Sequence, residues 1–177
     1  TEDAASVLAD LATMSVDDRP LHPASRLARK AQAIGPASAL LAAMDADWAK
    51  LERASLLSRR RRDREEARTL IRGVLEAHPE NLGAALVASR IGAVMEDREL
   101  MAAGQAGLAA HGKSAAMRTA NALWAADLLE DLEKPAEALV QYQTALEICP
   151  TSEAAAAGVF RCLLVAGDAP GIREVAD

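Results

Sequence analysis

The sequence predicts an all-α fold built as an array of helix-turn-helix units, and three observations carry that expectation. The chain is 51% hydrophobic but only 2% aromatic, so its apolar content is mostly Ala, Leu and Val, small or unbranched residues that favour closely packed helices over a sheet. No stretch of six residues alternates β-branched with polar side chains, and no Asn-Gly or Asp-Gly turn occurs. Finally, one pattern is used twice: "EEARTLIRGVLEAHPEN" and "AEALVQYQTALEICPTS" align Ala67, Ile71, Val74 and Pro79 with Ala138, Tyr142, Ala145 and Pro150.

The spacing has a physical logic. Small residues four and seven apart let the two helices of a hairpin approach closely, and the large residue between them plugs the next hairpin. Proline just past the second helix cannot continue it and restricts the residue before it, so the chain must turn.

The elements follow in order. A degenerate first unit is expected over 5–36, with Ala24, Ala28, Ala31 and Pro36 in the repeat positions. Pro36 to Pro79 spans 43 residues, nine over a 34-residue repeat. Leu41, Met44, Trp48, Leu51 and Ser55 continue one stripe with no Gly or Pro between them, so the unit over 37–79 is expected to have an elongated first helix from about 37 to 60, on the order of 36 Å long. Pairs Arg61–Glu65 and Arg62–Glu66 at i,i+4 support a helix over 63–77, with Ala67, Leu70, Ile71, Val74 and Leu75 on its apolar face. The third unit covers 82–115. Pro79 to Pro150 spans 71 residues, three more than two repeats, and the turn near "MEDRE" is the expected place for the three. The fourth unit, over 119–150, is the best copy, and a partial fifth occupies 153–177 with Gly167 and Asp168 at its turn.

With these residues in place the chain resembles the tetratricopeptide repeat family, in a degenerate form of four to five units that make a single domain over 1–177. Tyr142 stands in the large-residue slot of the second helix, and Ala122, Ala125, Ala126 and Leu129 replace the larger residues usual in the first. The composition, rich in Ala, Leu and Arg with little Lys, points to a GC-rich bacterial source. The chain opens on Thr1 rather than methionine, so a fragment of a longer protein is an expectation, and a missing leader carries no weight.

The eight letters "GLAAHGKS", Gly107 to Ser114, satisfy the G-x-x-x-x-G-K-S phosphate loop. A working loop needs a buried strand delivering the glycines and a helix leaving them. Upstream stands "RELMAAGQAGLAAH", helical in spacing and free of β-branched residues. The repeat reading instead makes Ala103, Gly104, Gly107 and Ala110 the small face of a second helix, with His111 at its negative end and Gly112 as a left-handed cap. A rise in melting temperature with millimolar Mg-ATP, abolished by Lys113→Ala, would restore the nucleotide reading.

Other chemistry is sparse. Net charge is −6, against general nucleic-acid binding, and two tryptophans, one tyrosine and one phenylalanine make no base-stacking platform. No apolar run is long enough to span a bilayer. His22, His78 and His111 are scattered and no nucleophile elbow frames a serine. No metal, cofactor or catalytic residue is expected, and the chain is not read as an enzyme. Cys149 and Cys162 are expected as buried thiols in a reducing compartment, hence cytoplasmic, with a periplasmic setting left open. "RRRRDR", Arg59 to Arg64, reads as a solvated helix end. Trp48 and Trp124 are expected to pack between hairpins, with anchoring of a ligand as the alternative.

The resemblance implies a protein-interaction scaffold or adaptor that holds a peptide or protein segment in a groove lined by the first helices. Carried over, the groove residues are Glu52, Leu56, Arg59 and Arg60, then Leu86, Arg90 and Val94, then Leu123, Asp127, Glu130 and Asp131, and last Arg161. That groove would have a basic end and an acidic end, suited to an extended, oppositely charged ligand. The carboxylate-clamp slots of some members hold Ala49, Glu52, Arg53 and Leu56 here, which argues against chaperone tails. Two alternatives stand beside it: self-association through an uncapped last unit exposing Val159, Phe160, Leu163 and Leu164, and a regulatory helical-repeat domain of a larger bacterial protein.

Overall fold

The computed structural model describes residues 34–168 and residue 171. The expectations for Ala24, Ala28, Ala31 and His22 lie outside the described residues. Among the described residues every regular element is helical: α1 (Ile34–Ala42), α2 (Asp47–Leu57), a 3₁₀ turn (Arg61–Asp63), α3 (Arg64–Ala77), α4 (Leu82–Met95), α5 (Arg98–His111), α6 (Ala115–Asp131), α7 (Pro135–Ile148) and α8 (Glu153–Ala166). The chain divides into two compact units, Thr1–Val74 and Leu75–Asp177.

In the first unit the expected elongated helix is two. The stripe from Leu41 through Ser55 is interrupted at 43–46, and Met44 closes a turn by donating its N–H to the Leu41 carbonyl at 3.2 Å. The reason is burial. Leu40, Leu41 and Met44 of the first segment share one core with Ala49 and Leu56 of the second. On a straight helix Leu40 and Leu56 would stand roughly 24 Å apart at 1.5 Å per residue, so folding back is what lets both leave water. Pro36, expected to close a unit, lies inside α1. Arg53 on α2 ties this unit together, donating Nε to Ser38 Oγ on α1 at 3.1 Å and pairing with Glu66 on α3. Glu66 is therefore held by Arg53, and Glu65 pairs with Arg68 at 2.6 Å, in place of the expected Arg61 and Arg62. Ala67, Ile71 and Val74 form the buried stripe of α3.

In the second unit α4 packs on α5, α5 on α6, α6 on α7 and α7 on α8, a row of helix hairpins. Caps set the boundaries. Asn81, Asp97 and Ser152 each accept a hydrogen bond from the backbone N–H three residues on, at 3.1, 3.0 and 3.3 Å, satisfying a donor the helix start leaves open. Pro135 opens α7, where its missing N–H costs nothing. Three helices end alike: the N–H of Asp97, Lys134 and Asp168 returns to the carbonyl five residues back, at 2.8, 2.9 and 3.0 Å, after a left-handed residue at Glu96, Glu133 and Gly167. The turn between α4 and α5 is thus two residues, so the three extra residues are not near "MEDRE". They lengthen α6, which has 17 residues where α4 has 14.

Small side chains let these helices close. Ala109, Ala122, Ala145 and Ala155, one from each of α5 to α8, form a buried alanine layer. Of the expected small face of α5, Gly104 and Gly107 lie against α4, whereas Ala103 and Ala110 are exposed and Ala102 and Ala109 are buried in their place. Gly112 is extended, φ −62° and ψ 153°, and not left-handed. A glycine is needed for room: a Cβ would fall 2.5 Å from the Leu108 carbonyl oxygen.

Tyr142 is the plug the repeat logic requires, 1% exposed and so close to α8 that a Cβ on Gly158 would lie 2.5 Å from its ring. The eighth residue of each second helix occupies this slot: Ile71 in α3, Tyr142 in α7, and in α5 the polar Gln105.

Candidate functional site

An apolar groove of about 540 Å³ opens between α4, α5 and the first half of α6. Its walls are Leu82 and Leu86 from α4, Leu108 from α5, and Met117 and Trp124 from α6. Leu86, Met117 and Trp124 are all well exposed, Trp124 at 49%. Its polar groups are few: Ser89, Asn121, the Gln105 amide and the turn Gly112–Ser114 with Lys113. Clefts of roughly 300–1,000 Å³ with an apolar lining and a few placed polar groups are the usual form of a ligand site.

Gln105 is the unusual member. It is 2% exposed, donates from Nε2 to Ser89 Oγ at 2.7 Å, and leaves Oε1 buried without a partner. Amide orientation follows the hydrogen-bond network, and turned either way one end of this amide has no protein partner. Native interiors seldom leave a polar group so.

A second hollow, about 330 Å³, lies in the first unit beside Met44, Lys50 and Arg53. Its charges are already engaged, Lys50 with Asp45 at 2.8 Å and Arg53 with Glu66.

Of the expected groove residues, only Leu86 lines the larger groove. Arg90 and Val94 follow it along α4 and are exposed. Leu123 faces the opposite way and packs on the core. Leu56, 7% exposed, belongs to the core of the first unit and is unavailable to a ligand. Glu52 is half-buried, Arg59 is exposed, and Arg60 lies 3.9 Å from Asp63.

The acidic residues expected at the groove's other end are engaged within the fold. Asp131 pairs with Arg98 at 3.0 Å. Asp127 Oδ1 and Glu130 Oε2 stand 2.7 and 2.5 Å from the Tyr142 hydroxyl. Arg161 donates to Glu130 at 2.6 Å and to the Tyr142 oxygen at 3.0 Å, with its guanidinium 5.6 Å from the Tyr142 ring centroid. One hydroxyl proton serves one carboxylate at a time, so Asp127 and Glu130 share it. This cluster joins α6, α7 and α8.

The Arg161 hydrogen bond holds the Glu130 carboxyl below its ordinary 4.5 against the opposing effect of burial, with the Tyr142 hydroxyl adding to the lowering. Burial first, then the Glu130 and Asp127 carboxylates, push the Tyr142 phenol far above its usual value. A depressed carboxylate stabilises the fold fully above the unfolded value and loses that contribution as pH falls through the folded one. Urea midpoints of the native chain should therefore drop faster below about pH 4.5 than those of Glu130→Gln, the two curves converging toward low pH; parallel curves would remove the carboxylate from the argument.

Trp48 and Trp124 are half exposed rather than core. Burial raises the Cys162 thiol, and Cys149 is only partly buried; both are free. On α8, Val159 and Leu163 are buried in the core, while Phe160 and Leu164 are exposed. In "GLAAHGKS", Gly107 to His111 are the last residues of α5 and Ala115 starts α6, so the glycines leave a helix where a phosphate loop has a strand. Among the described residues no helix is long and apolar enough to cross a membrane, and no three metal-ligating side chains are grouped.

Sequence reasoning missed Met117, Asn121, Gln105 and Leu108, and assigned Trp124 to the core over a ligand-anchoring role. A signal for Trp124 was present. Ala122 and Ala126 mark the buried side of α6, and a residue two positions from each lies about 200° around a helix of 3.6 residues per turn.

Fold and groove together define a helical-hairpin array carrying an open apolar cleft. No family model and no curated protein matches the chain. Among solved structures it is similar to MamA MSR-1 C2, at 14% identity and a TM-score of 0.45 over 92% of this chain and 96% of that one. It is also similar to a mutant MamA, at 15% identity and a TM-score of 0.44 over 90% and 95%. Likeness at that level carries no conclusion about function.

Proposed function

We propose that the chain is a non-enzymatic protein-interaction module of tetratricopeptide type that holds a peptide or helical segment of a partner protein in the α4/α5/α6 groove. The observation behind this reading is the contiguity of Leu86, Met117 and Trp124, exposed large side chains gathered in one cleft where scattered apolar residues would mean nothing. Half-exposed aromatic anchors in such a cleft are what an interface buries to gain affinity.

The test is selection of a displayed random dodecamer library on the native chain and on Leu86→Asp with Trp124→Ala. Both positions are solvent-facing, so the circular dichroism melt should hold. Peptides retained by the native chain should bind the double variant at least about tenfold more weakly, the loss of one modest anchor. Equal retention on both baits sinks the groove.

A second reading, self-association, is favoured by Phe160 and Leu164, an exposed i,i+4 apolar pair on α8. Sedimentation equilibrium at micromolar concentration should then show a species dissociated by Phe160→Glu, and a monomer in the native chain would end it.

A further inference from the structure

The two polar features of the groove say what kind of segment fills it. The first is the Gln105 amide, almost wholly buried with one end unpaired, at the helix position where α3 and α7 carry Ile71 and Tyr142. An apolar residue there would fill space at no polar cost; a glutamine leaves a buried group that no protein atom among the described residues satisfies and that an incoming donor or acceptor can. The second is charge. Lys113 is exposed at the groove mouth with no ion pair among the described residues, and it precedes α6, whose first residue follows Ser114 without a side-chain cap. The open N–H groups and dipole of that helix start add to the positive field of the lysine.

We propose that the groove takes a partner segment bearing one bulky apolar side chain and a nearby Asp or Glu. The apolar side chain lies over Leu86, Leu108, Met117 and Trp124, the Gln105 side chain turns toward the groove so that its free end meets a backbone amide of the segment, and the carboxylate pairs with Lys113. This rests on the peptide-binding reading above and specifies its occupant. Apolar burial supplies the affinity, and the amide and the lysine supply register and selectivity.

The experiment uses the peptides selected on the native chain. They should carry Asp or Glu within about four positions of a Trp, Phe, Leu or Met. One synthetic winner, followed by Trp124 fluorescence in a Trp48→Phe background, should bind Lys113→Glu at least about tenfold more weakly, one decade of Kd. It should also bind Gln105→Leu combined with Ser89→Ala several-fold more weakly although that double variant melts no lower than the parent, since both partners of the Gln105–Ser89 bond and the unpaired amide end are replaced by apolar groups; a merely structural glutamine would leave affinity alone. Winners without acidic residues, or unchanged affinity for Lys113→Glu, overturn this proposal and leave peptide binding standing. Displacement of the peptide by millimolar Mg-ATP, lost in Lys113→Ala, overturns it in favour of a nucleotide. If no sequence is enriched over the Leu86→Asp, Trp124→Ala bait, the peptide-binding reading itself falls.

Discussion

Tyr142→Ala should unfold at a much lower urea concentration than the native chain, with a loss of about 3–5 kcal/mol as for other buried aromatics cut to alanine. The ring is 1% exposed and belongs to the core that joins α5, α6, α7 and α8, so its removal leaves a cavity that four helices cannot all close. Tyr142→Phe keeps the plug and removes only the hydroxyl beside Asp127 and Glu130, so about 1.5–3 kcal/mol is expected, the order of one hydrogen bond to a charged group. Gly158 gives the coupling test. A methyl on it would lie 2.5 Å from the Tyr142 ring, and Gly158→Ala should cost about 1–3 kcal/mol in the native background by overpacking. In Tyr142→Ala the same methyl enters free space and should cost nothing, or stabilise. Additive losses in the two backgrounds would mean that ring and glycine do not meet.

Gly104→Ala should be the most damaging single methyl in the α4/α5 hairpin. A Cβ there would fall 2.4 Å from the Ser89 nitrogen and 2.6 Å from the Ala85 carbonyl oxygen. Both are backbone atoms of α4, so no rotamer change relieves the clash and the two helices must separate. The overpacking cost of about 1–3 kcal/mol outweighs the helix-propensity gain of roughly 1 kcal/mol from replacing glycine. Gly73 is the control. It lies inside α3 with nothing within 4 Å of its would-be Cβ, and Gly73→Ala should raise stability by about 0.5–1 kcal/mol. Equal effects at the two positions would show that propensity rather than close approach governs Gly104.

Much of the helical-hairpin architecture can be read from local chemistry. The stripes Ala67, Ile71, Val74 and Ala138, Tyr142, Ala145, matched from spacing alone, are buried at every position, because a 3.6-residue period puts them on one face whatever they meet. The plug was legible too, since a single large residue among small ones has to go somewhere. The turns were harder. Gly167 announces a left-handed helix end, whereas Glu96 and Glu133 adopt the same conformation with nothing in their identity to signal it. The helix expected over 37–60 breaks because periodicity cannot tell a continuing stripe from two stripes that fold onto each other. That choice belongs to the shared core of Leu40, Leu41, Met44, Ala49 and Leu56.

The candidate site divides the same way. Leu86 was visible as an exposed position on a first helix, but the acidic residues assigned to the groove had no local mark of their true partners. Glu130 reads as a surface carboxylate until α8 brings Arg161 to it across 31 positions of sequence. Gln105 reads as an ordinary polar residue until α4 closes over it. By itself the sequence determined most of the helices and which face of most of them turns inward, because propensity and period act within a few residues. Which faces meet, which polar groups are satisfied and where an apolar cleft stays open were decided only by the tertiary structure. Those outcomes depend on atoms brought together from distant segments, and no short stretch of sequence contains them.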